Sequence, residues 1–244
     1  MFTIICLFNK YEVFEKCLLK SLKKQLSEYE GIFIDNTENK YSSAAKAFNE
    51  AIPKARGKYI IFAHQDIIIE DPEWLMKTEE VLDSLENPGI VGVAGCKENI
   101  KGVYTNIRHG NDKRYAGHFR VEKPLKVQTV DECLFIIPKE IFNYLNFDEK
   151  TCYHWHFYAI DFCLQSKLLG YNTYVIPTDL YHLSPGDSLD INYYKTAKRV
   201  CQKYRNKYKT INTTCSFWQI DKFLIQYFYK IIKYKIKNIF RIYM

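Results

Sequence analysis

Four short apolar runs in the first 95 residues alternate with segments of helical period, and this alternation restricts the folds open to the chain. The runs are Phe2–Phe8 (FTIICLF), Gly31–Asp35 (GIFID), Lys58–Ala63 (KYIIFA) and Ile90–Ala94. Each has strand length, and the third is continuously apolar from Tyr59 rather than alternating, as in a strand buried on both faces. Between the first two runs, Val13, Cys17, Leu18, Ser21 and Leu22 recur at helical spacing. Ala44, Ala45, Phe48 and Ile52 do the same before the third, with Ser42 or Ser43 placed to cap the helix. Asp71-Pro72 opens a further helix with proline in its first turn and Leu75, Val81, Leu82 and Leu85 inside. The predicted architecture is a three-layer α/β/α sandwich around a mostly parallel sheet.

After Gly95 the pattern loosens. Residues 97–125 hold Gly102, Gly110, Gly117, Pro124 and many charges, and read as a long loop or small excursion. His109, His118, Arg108, Arg114 and Arg120 lie there, either in a segment that closes over a ligand or in a solvated loop. Residues 127–137 (VQTVDECLFII) read as a strand and Phe147-Asp148-Glu149 as a turn. His156–Leu169 reads as a helix ended by Gly170, and Tyr171–Ile176 as the last strand.

Three strands end in polar residues: Phe8-Asn9, Asp35-Asn36 and His64-Gln65-Asp66. In an open α/β sheet ligands sit outside the carboxyl ends of the strands, and these tips share one edge. Any one of them is accounted for by the preference of Asn and Asp for turns. Three together suit the base, ribose and diphosphate of a nucleotide. The phosphate cradles GxGxxG and GxxxxGKS/T are absent, so a diphosphate needs another counter-charge. A divalent cation on hard oxygen ligands such as Asp66 would supply it.

The ordered series of motifs resembles the bacterial family-2-type glycosyltransferases of GT-A fold. FIDN at 33–36, an Ala-rich helix with Asn49, and KYIIFAHQD carry the resemblance, within the subgroup that has HQD where most members have D-x-D. VDECLFIIPK (Val130–Lys139), FDE (Phe147–Glu149), WHFYAIDFCL (Trp155–Leu164), GYNTYVIP and YHLSPG extend it over roughly residues 1–186. The resemblance implies inverting transfer from a nucleotide-sugar donor, a UDP-sugar first among them, with Mn²⁺ or Mg²⁺ bridging the diphosphate. By position, Asn9 and Asp35 fall where the family contacts base and ribose, with Asn36, His64 and Gln65 in the same nucleotide-binding group. Asp66 falls on the last acid of D-x-D, the metal ligand, and His64 replaces the first. His182 stands where the family often has a His near the diphosphate and metal; a loop His that packs beside Tyr181 is the plain alternative. Carboxylate plus imidazole suits Mn²⁺ better than Mg²⁺. Asp131, Glu132 and Trp155 are assigned to acceptor or sugar contacts.

One departure from the family matters. Many members take the acceptor proton with the Asp of a Glu-Asp pair at a helix start, and the dipeptide here is Tyr158-Ala159. Asp161, two residues on, is the expected base, with His156 as the second catalytic candidate. A charge matched to the helix dipole is the plain reading of Asp161. The missing acid leaves open a catalytically silent nucleotide-sugar or glycan-binding subunit of a membrane glycan-assembly complex. A nucleotidyltransferase would need a Gly-rich, basic N-terminal loop, which is lacking.

The net charge of +7 is unevenly divided: residues 191–244 carry 13 Lys/Arg and one acid, a net +12, leaving −5 for residues 1–190. From Gln219, polar residues fall at Lys222, Gln226, Lys230, Lys233, Lys237 and Arg241, with Phe223, Leu224, Tyr227, Phe228, Ile231, Ile232, Ile239 and Phe240 among the apolar residues between them. A cation once per turn rules out a transmembrane span, which needs ~18–20 uncharged residues. A basic amphipathic helix over 216–244 lying on an anionic membrane fits instead, with docking on its own domain or in a homodimer as the alternative. Nucleic acid is not an expected partner, because a broad apolar face does not suit phosphate contacts. The expected organisation is a catalytic domain over 1–190 and a basic helical tail over 191–244. The eight cysteines are scattered without a CxxC pair and the N-terminus lacks a basic leader. These features point to a cytoplasmic protein, peripheral on the inner membrane and acting on a lipid-linked surface glycan such as capsule or lipopolysaccharide.

Overall fold

The computed structural model describes residues 1–184 and 189–242, with backbone only for 237–242. Its centre is a seven-stranded sheet. The strands are β1 (Phe2–Phe8), β2 (Tyr29–Asp35), β3 (Tyr59–Ala63), β4 (Pro88–Gly92), β5 (Leu125–Lys126), β6 (Leu134–Pro138) and β7 (Asn172–Val175). They lie in the order β5-β7-β4-β6-β3-β1-β2. β6 runs antiparallel to both neighbours and β5 antiparallel to β7, while the other five strands share one direction. Helices follow as α1 (residues 11–22), α2 (Ala44–Ala51), α3 (Trp74–Asp83), α4 (Tyr158–Leu168) and α5 (Ile191–Lys203).

Successive strand side chains point to opposite faces, so each buried strand feeds two cores. On one face Phe2, Ile4 and Ile61 meet Leu18 of α1 and Trp74 and Leu75 of α3. On the other, Ile5, Ile60 and Phe62 meet Phe48 of α2, Phe162 of α4 and Val200 of α5. Ser43 caps α2, its hydroxyl accepting from the Lys46 amide at 3.4 Å.

Two local expectations are corrected, and a third, the excursion, gains detail. The helix after Asp71-Pro72 begins at Trp74, because the Asp71 carboxylate accepts from the Glu73 amide at 2.9 Å and folds Pro72 into a preceding turn. The strand expected over 127–137 is broken at Asp131-Glu132. Thr129–Val130 leaves the central sheet to pair with Ala94–Cys96, and only β6 remains in it. The excursion over 97–125 is tied down: Arg108–His109 joins a small sheet with Tyr181–His182, Ile67–Ile68 and Arg114–Tyr115. The Arg108 guanidinium fastens it further, donating to Glu70 at 2.6 Å and Asp179 at 3.0 Å.

Charge divides the chain near residue 190; packing does not. Tyr193, Val200, Tyr204, Ile211 and Trp218 belong to the core over the central sheet. Strands Thr210–Asn212 and Phe217–Gln219 form a hairpin fixed to the body by buried polar groups. Gln128 donates to the Thr210 carbonyl and accepts from the Asn212 amide, both at 2.8 Å, and the Thr129 hydroxyl donates to the Asn212 carbonyl. The chain then passes through one 3₁₀ turn, Ile220–Lys222, into α6 (Phe223–Ile242).

α6 presents an apolar face outward: Leu224, Ile225, Phe228, Tyr229, Ile232 and Ile236 are 44–73% exposed. Part of the expected polar stripe faces inward instead. Gln226 accepts from the Gln219 amide at 2.9 Å, and Lys230 reaches the Ser216 hydroxyl at 3.2 Å and lies over the Trp218 ring. The side chains of Lys237, Ile239, Phe240 and Arg241, and Pro185-Gly186 of the YHLSPG motif, lie outside the described residues. Among the described residues no helix is long and apolar enough to cross a membrane.

Candidate functional site

The carboxyl ends of β1 and β3, the break before β6 and the approach to α4 enclose a cleft of about 420 Å³. Its metal-binding candidates are brought together by short-range ladders. The His64 amide donates to the Cys133 carbonyl at 2.8 Å, continuing the pairing of β3 with β6. The chain turns at Gln65-Asp66 and enters Ile67–Ile68, which pairs with Tyr181–His182. That pairing, braced from the other side by Arg108–His109, sets His182 Nε2 3.2 Å from Asp66 Oδ1. The ligand atoms of His64, Asp66 and His182 all lie within 4.8 Å of one another.

The electrostatics of the three are mutual. Burial first, then the neighbouring His182, keeps the proton affinity of His64 below that of an ordinary imidazole. Burial opposes charge on both Asp66 and His182, but their hydrogen bond and attraction override it, lowering Asp66 and raising His182. Two imidazoles and a carboxylate form a donor set that fits Mn²⁺ better than Mg²⁺. His64, assigned from the sequence to the nucleotide group, thus stands with the metal-ligating candidates.

The remaining polar strand ends are largely occupied in shaping the cleft. Gln65 Oε1 accepts from the Asn9 and Lys10 amides, each at 3.0 Å, and its Nε2 donates to Asn9 Oδ1 at 2.9 Å. This clamp joins the tips of β1 and β3. Asn36 is buried, donating to the Tyr41 carbonyl at 3.1 Å and accepting from the Tyr41 amide at 2.7 Å. Asn9, Asn36 and Gln65 line the cleft, whereas Asp35 stands outside it. Asp35 Oδ1 accepts from the amide and hydroxyl of Thr37, which hold its carboxyl below the ordinary range. These are the turn roles such residues favour after a strand.

A family model described as "Glycosyltransferase like family" matches residues 3–211. The chain belongs to this family. It is 26% identical over 218 residues to the "ATP synthase subunits region ORF 6" protein of Fuscovulum blasticum, covering 84% of each chain. Among solved structures it is similar to GalNAc-T7 with UDP, GalNAc and Mn²⁺, with a TM-score of 0.61 and 11% identity over 86% of this chain and 49% of that one. It is similar to S. aureus TarS 1-349 in complex with UDP-GlcNAc, with a TM-score of 0.59 and 15% identity over 84% of this chain and 66% of that one. For the mannosyltransferase PcManGT from Pyrobaculum calidifontis with GDP-Man and Mn²⁺, the TM-score is 0.53 and the identity 12%, over 84% and 61%. The chain spans about half to two thirds of the length of these solved proteins. At such identities the likeness establishes the fold, which is the GT-A type of the glycosyltransferases.

Asp161, the expected base, lies away from the cleft. It is 0% exposed and held by Lys203 Nζ at 2.8 and 2.9 Å and by Gln165 Nε2 at 2.6 Å. Beginning α4 at Tyr158 turns Asp161 toward α5, where it forms an internal ion pair beyond the reach of an acceptor. His156 lines the cleft, with Nε2 3.4 Å from Asp190, and burial above all keeps its proton affinity below that of an ordinary histidine. Trp155, 39% exposed, forms part of the wall. Asp131 uses one oxygen on the Cys133 amide at 3.0 Å and the other on the Thr214 hydroxyl. Glu132 Oε1 lies 3.4 Å from the Ala159 amide.

The wall also includes Tyr158, Tyr193 and the Thr213-Thr214-Cys215 tip of the hairpin. The tip falls in a segment dominated by its charge, although NTTCS between two short apolar stretches carries turn chemistry. All eight cysteines are free thiols, and seven are buried.

Proposed function

We propose that the protein is a metal-dependent, inverting glycosyltransferase that moves a sugar from a nucleotide-sugar donor, a UDP-sugar first among them, to a lipid-linked surface-glycan acceptor. The observation that carries this reading is the His64–Asp66–His182 trio at the carboxyl edge of a GT-A sheet. The GalNAc-T7 and PcManGT structures, with their nucleotides and Mn²⁺, support it. When bound, the cation would neutralise charge gathering on the departing diphosphate. The trio would hold it, and the Gln65 clamp would fix the Asn9 backbone beside the donor. Trp155 gives an acceptor sugar an apolar ring to rest on. Inversion requires the acceptor hydroxyl to approach opposite the leaving diphosphate, so the remaining wall of the cleft must orient it.

Calorimetric titration with UDP, GDP, CDP and ADP tests this directly. One nucleotide is expected to bind in Mn²⁺ and to lose binding in EDTA. Failure of all four to bind in Mn²⁺ removes the transferase reading and leaves an α/β scaffold.

The acceptor side of the proposal rests on α6. Its outward apolar face, with Lys233 and Lys235 also exposed, suits the headgroup region of an anionic leaflet on the cytoplasmic side. Co-sedimentation with phosphatidylcholine vesicles containing phosphatidylserine is expected to capture the protein and to weaken with added salt. A fully buried Phe contributes ~1.5–3 kcal/mol, so Phe228→Glu is expected to weaken partitioning at least about tenfold. Unchanged partitioning, or α6-dependent dimers that ignore vesicles, would count against the membrane.

A further inference from the structure

Three carboxylates line the cleft among the described residues: Asp66, Asp131 and Glu132. Asp66 belongs to the metal trio, and both oxygens of Asp131 are taken by Cys133 and Thr214. Glu132 is placed differently. Its Oε1 faces the first turn of α4, 3.4 Å from the amide of Ala159. That turn exposes amides without helical partners and favours a negative group. Ala159 is also the residue at the position where the resemblance locates an acid.

Two backbone features bring Glu132 to this position. Thr129–Val130 departs from the central sheet, so residues 131 and 132 reach the cleft instead of continuing the ladder. Phe157 adopts a left-handed conformation, φ 71°, with its ring fully buried against Tyr193. Such a conformation is strained for a bulky residue and is retained here by packing. It redirects the chain just before α4. Tyr158 Oη lies 3.4 Å from His64 Nε2 and 3.5 Å from the Glu132 main-chain carbonyl, so the Tyr158 hydroxyl stands between the backbone that carries Glu132 and the metal trio.

We propose that Glu132 is the general base of the transfer, supplying from the strand side the carboxylate that the start of α4 lacks. This rests on the glycosyltransferase reading. A Glu132 oxygen takes the proton of the acceptor hydroxyl as that hydroxyl's oxygen forms its bond to the anomeric carbon. The bond from that carbon to the diphosphate oxygen breaks, and its electron pair leaves with the nucleoside diphosphate. Glu132 finishes as the carboxylic acid and returns its proton to solvent when product departs. Burial foremost, then the charge of Asp131, raises the proton affinity of Glu132 well above that of an ordinary glutamate, while the α4 amides act against it.

The test begins with the full chain in Mn²⁺, assaying release of nucleoside diphosphate from UDP-glucose, UDP-galactose, UDP-N-acetylglucosamine and GDP-mannose with water as acceptor. Glu132→Gln keeps an oxygen for the Ala159 amide and removes the base. With the donor that is turned over, it is expected to lower kcat by about 10²- to 10⁴-fold. Nucleotide affinity and donor KM should stay at wild-type values. Glu132→Asp, which keeps a carboxylate, is expected to recover at least about tenfold over the Gln form. Wild-type kcat in Glu132→Gln, or equal kcat in the Asp and Gln forms, overturns the assignment. A wild-type chain that neither binds a nucleotide nor releases one from any donor overturns the reading beneath it, and is recognised by the lost binding.

Discussion

Asp66→Ala is expected to abolish Mn²⁺-dependent nucleotide binding and to reduce sugar transfer by about 10³-fold or more. Asp66 is the one carboxylate of the trio, set 3.2 Å from His182 and on the turn that follows β3. Without it, only two imidazoles would be left to hold a cation, and neither would bring negative charge to offset it. Asp66→Asn retains an oxygen donor without the charge and should fall between the alanine form and wild type. Calorimetry with and without EDTA reads the binding, and nucleotide release reads the turnover. Undiminished Mn²⁺-dependent binding by Asp66→Ala would place the metal elsewhere.

A second large effect falls on stability. Lys203→Met leaves Asp161 buried without its cation and is expected to destabilise the fold by about 3–5 kcal/mol, read from chemical denaturation. The Lys203 ammonium also reaches Asp148 at 2.8 Å, so one side chain joins α5 to α4 and to the turn after β6. Removing both charges in Asp161→Asn/Lys203→Met should recover part of the loss, because the fully buried Asp161 no longer carries an unpaired charge while Asp148 still lacks its cation. Acid should act in the same direction. Burial opposes ionisation of Asp148, yet Lys203 and Thr151 hold its carboxyl below the ordinary range. A carboxylate lowered in the folded state contributes stability that is present above the unfolded value of about 3.9 and lost as pH falls toward the folded one. The wild-type unfolding midpoint should therefore drop below about pH 4, with Lys203→Met losing the share of that dependence that Asp148 contributes. A Lys203→Met variant within about 1 kcal/mol of wild type would show that the pair is dispensable.

The strands that carry the site were legible because a strand covered on both faces has a distinctive composition. β1 and β3 are continuous apolar runs, and their polar ends mark where the sheet meets the cleft. The antiparallel course of β6 was not legible, since an apolar run looks the same in either direction. Asp66 was legible as a carboxylate at a strand end and His182 through a resemblance, but their approach to one another depends on the pairing of Ile67–Ile68 with Tyr181–His182, a contact between distant segments. Asp35 and Asn36 show the limit of reading strand ends. Whether such a side chain faces a ligand or its own loop is decided by Thr37 and Tyr41, through hydrogen bonds with no sequence signature. Asp161 fails for a related reason: helical period gives the face a residue shares with others, not what that face meets. Here it meets α5, drawn from a segment whose basic charge concealed its buried side.

The pinned hairpin has a consequence for how an acceptor is met. Its tip reaches Asp131 through Thr214, its strands are fastened by Gln128 and Thr129, and only the turn Ile220–Lys222 separates it from α6. The bearing of the cleft relative to the axis of α6 is therefore built in. If α6 lies flat on a surface, the molecule keeps freedom to slide and to spin about the surface normal, but not to tip. An acceptor rooted in that surface would meet the cleft at one height and one inclination, so part of the orientation that transfer demands is set before the acceptor arrives.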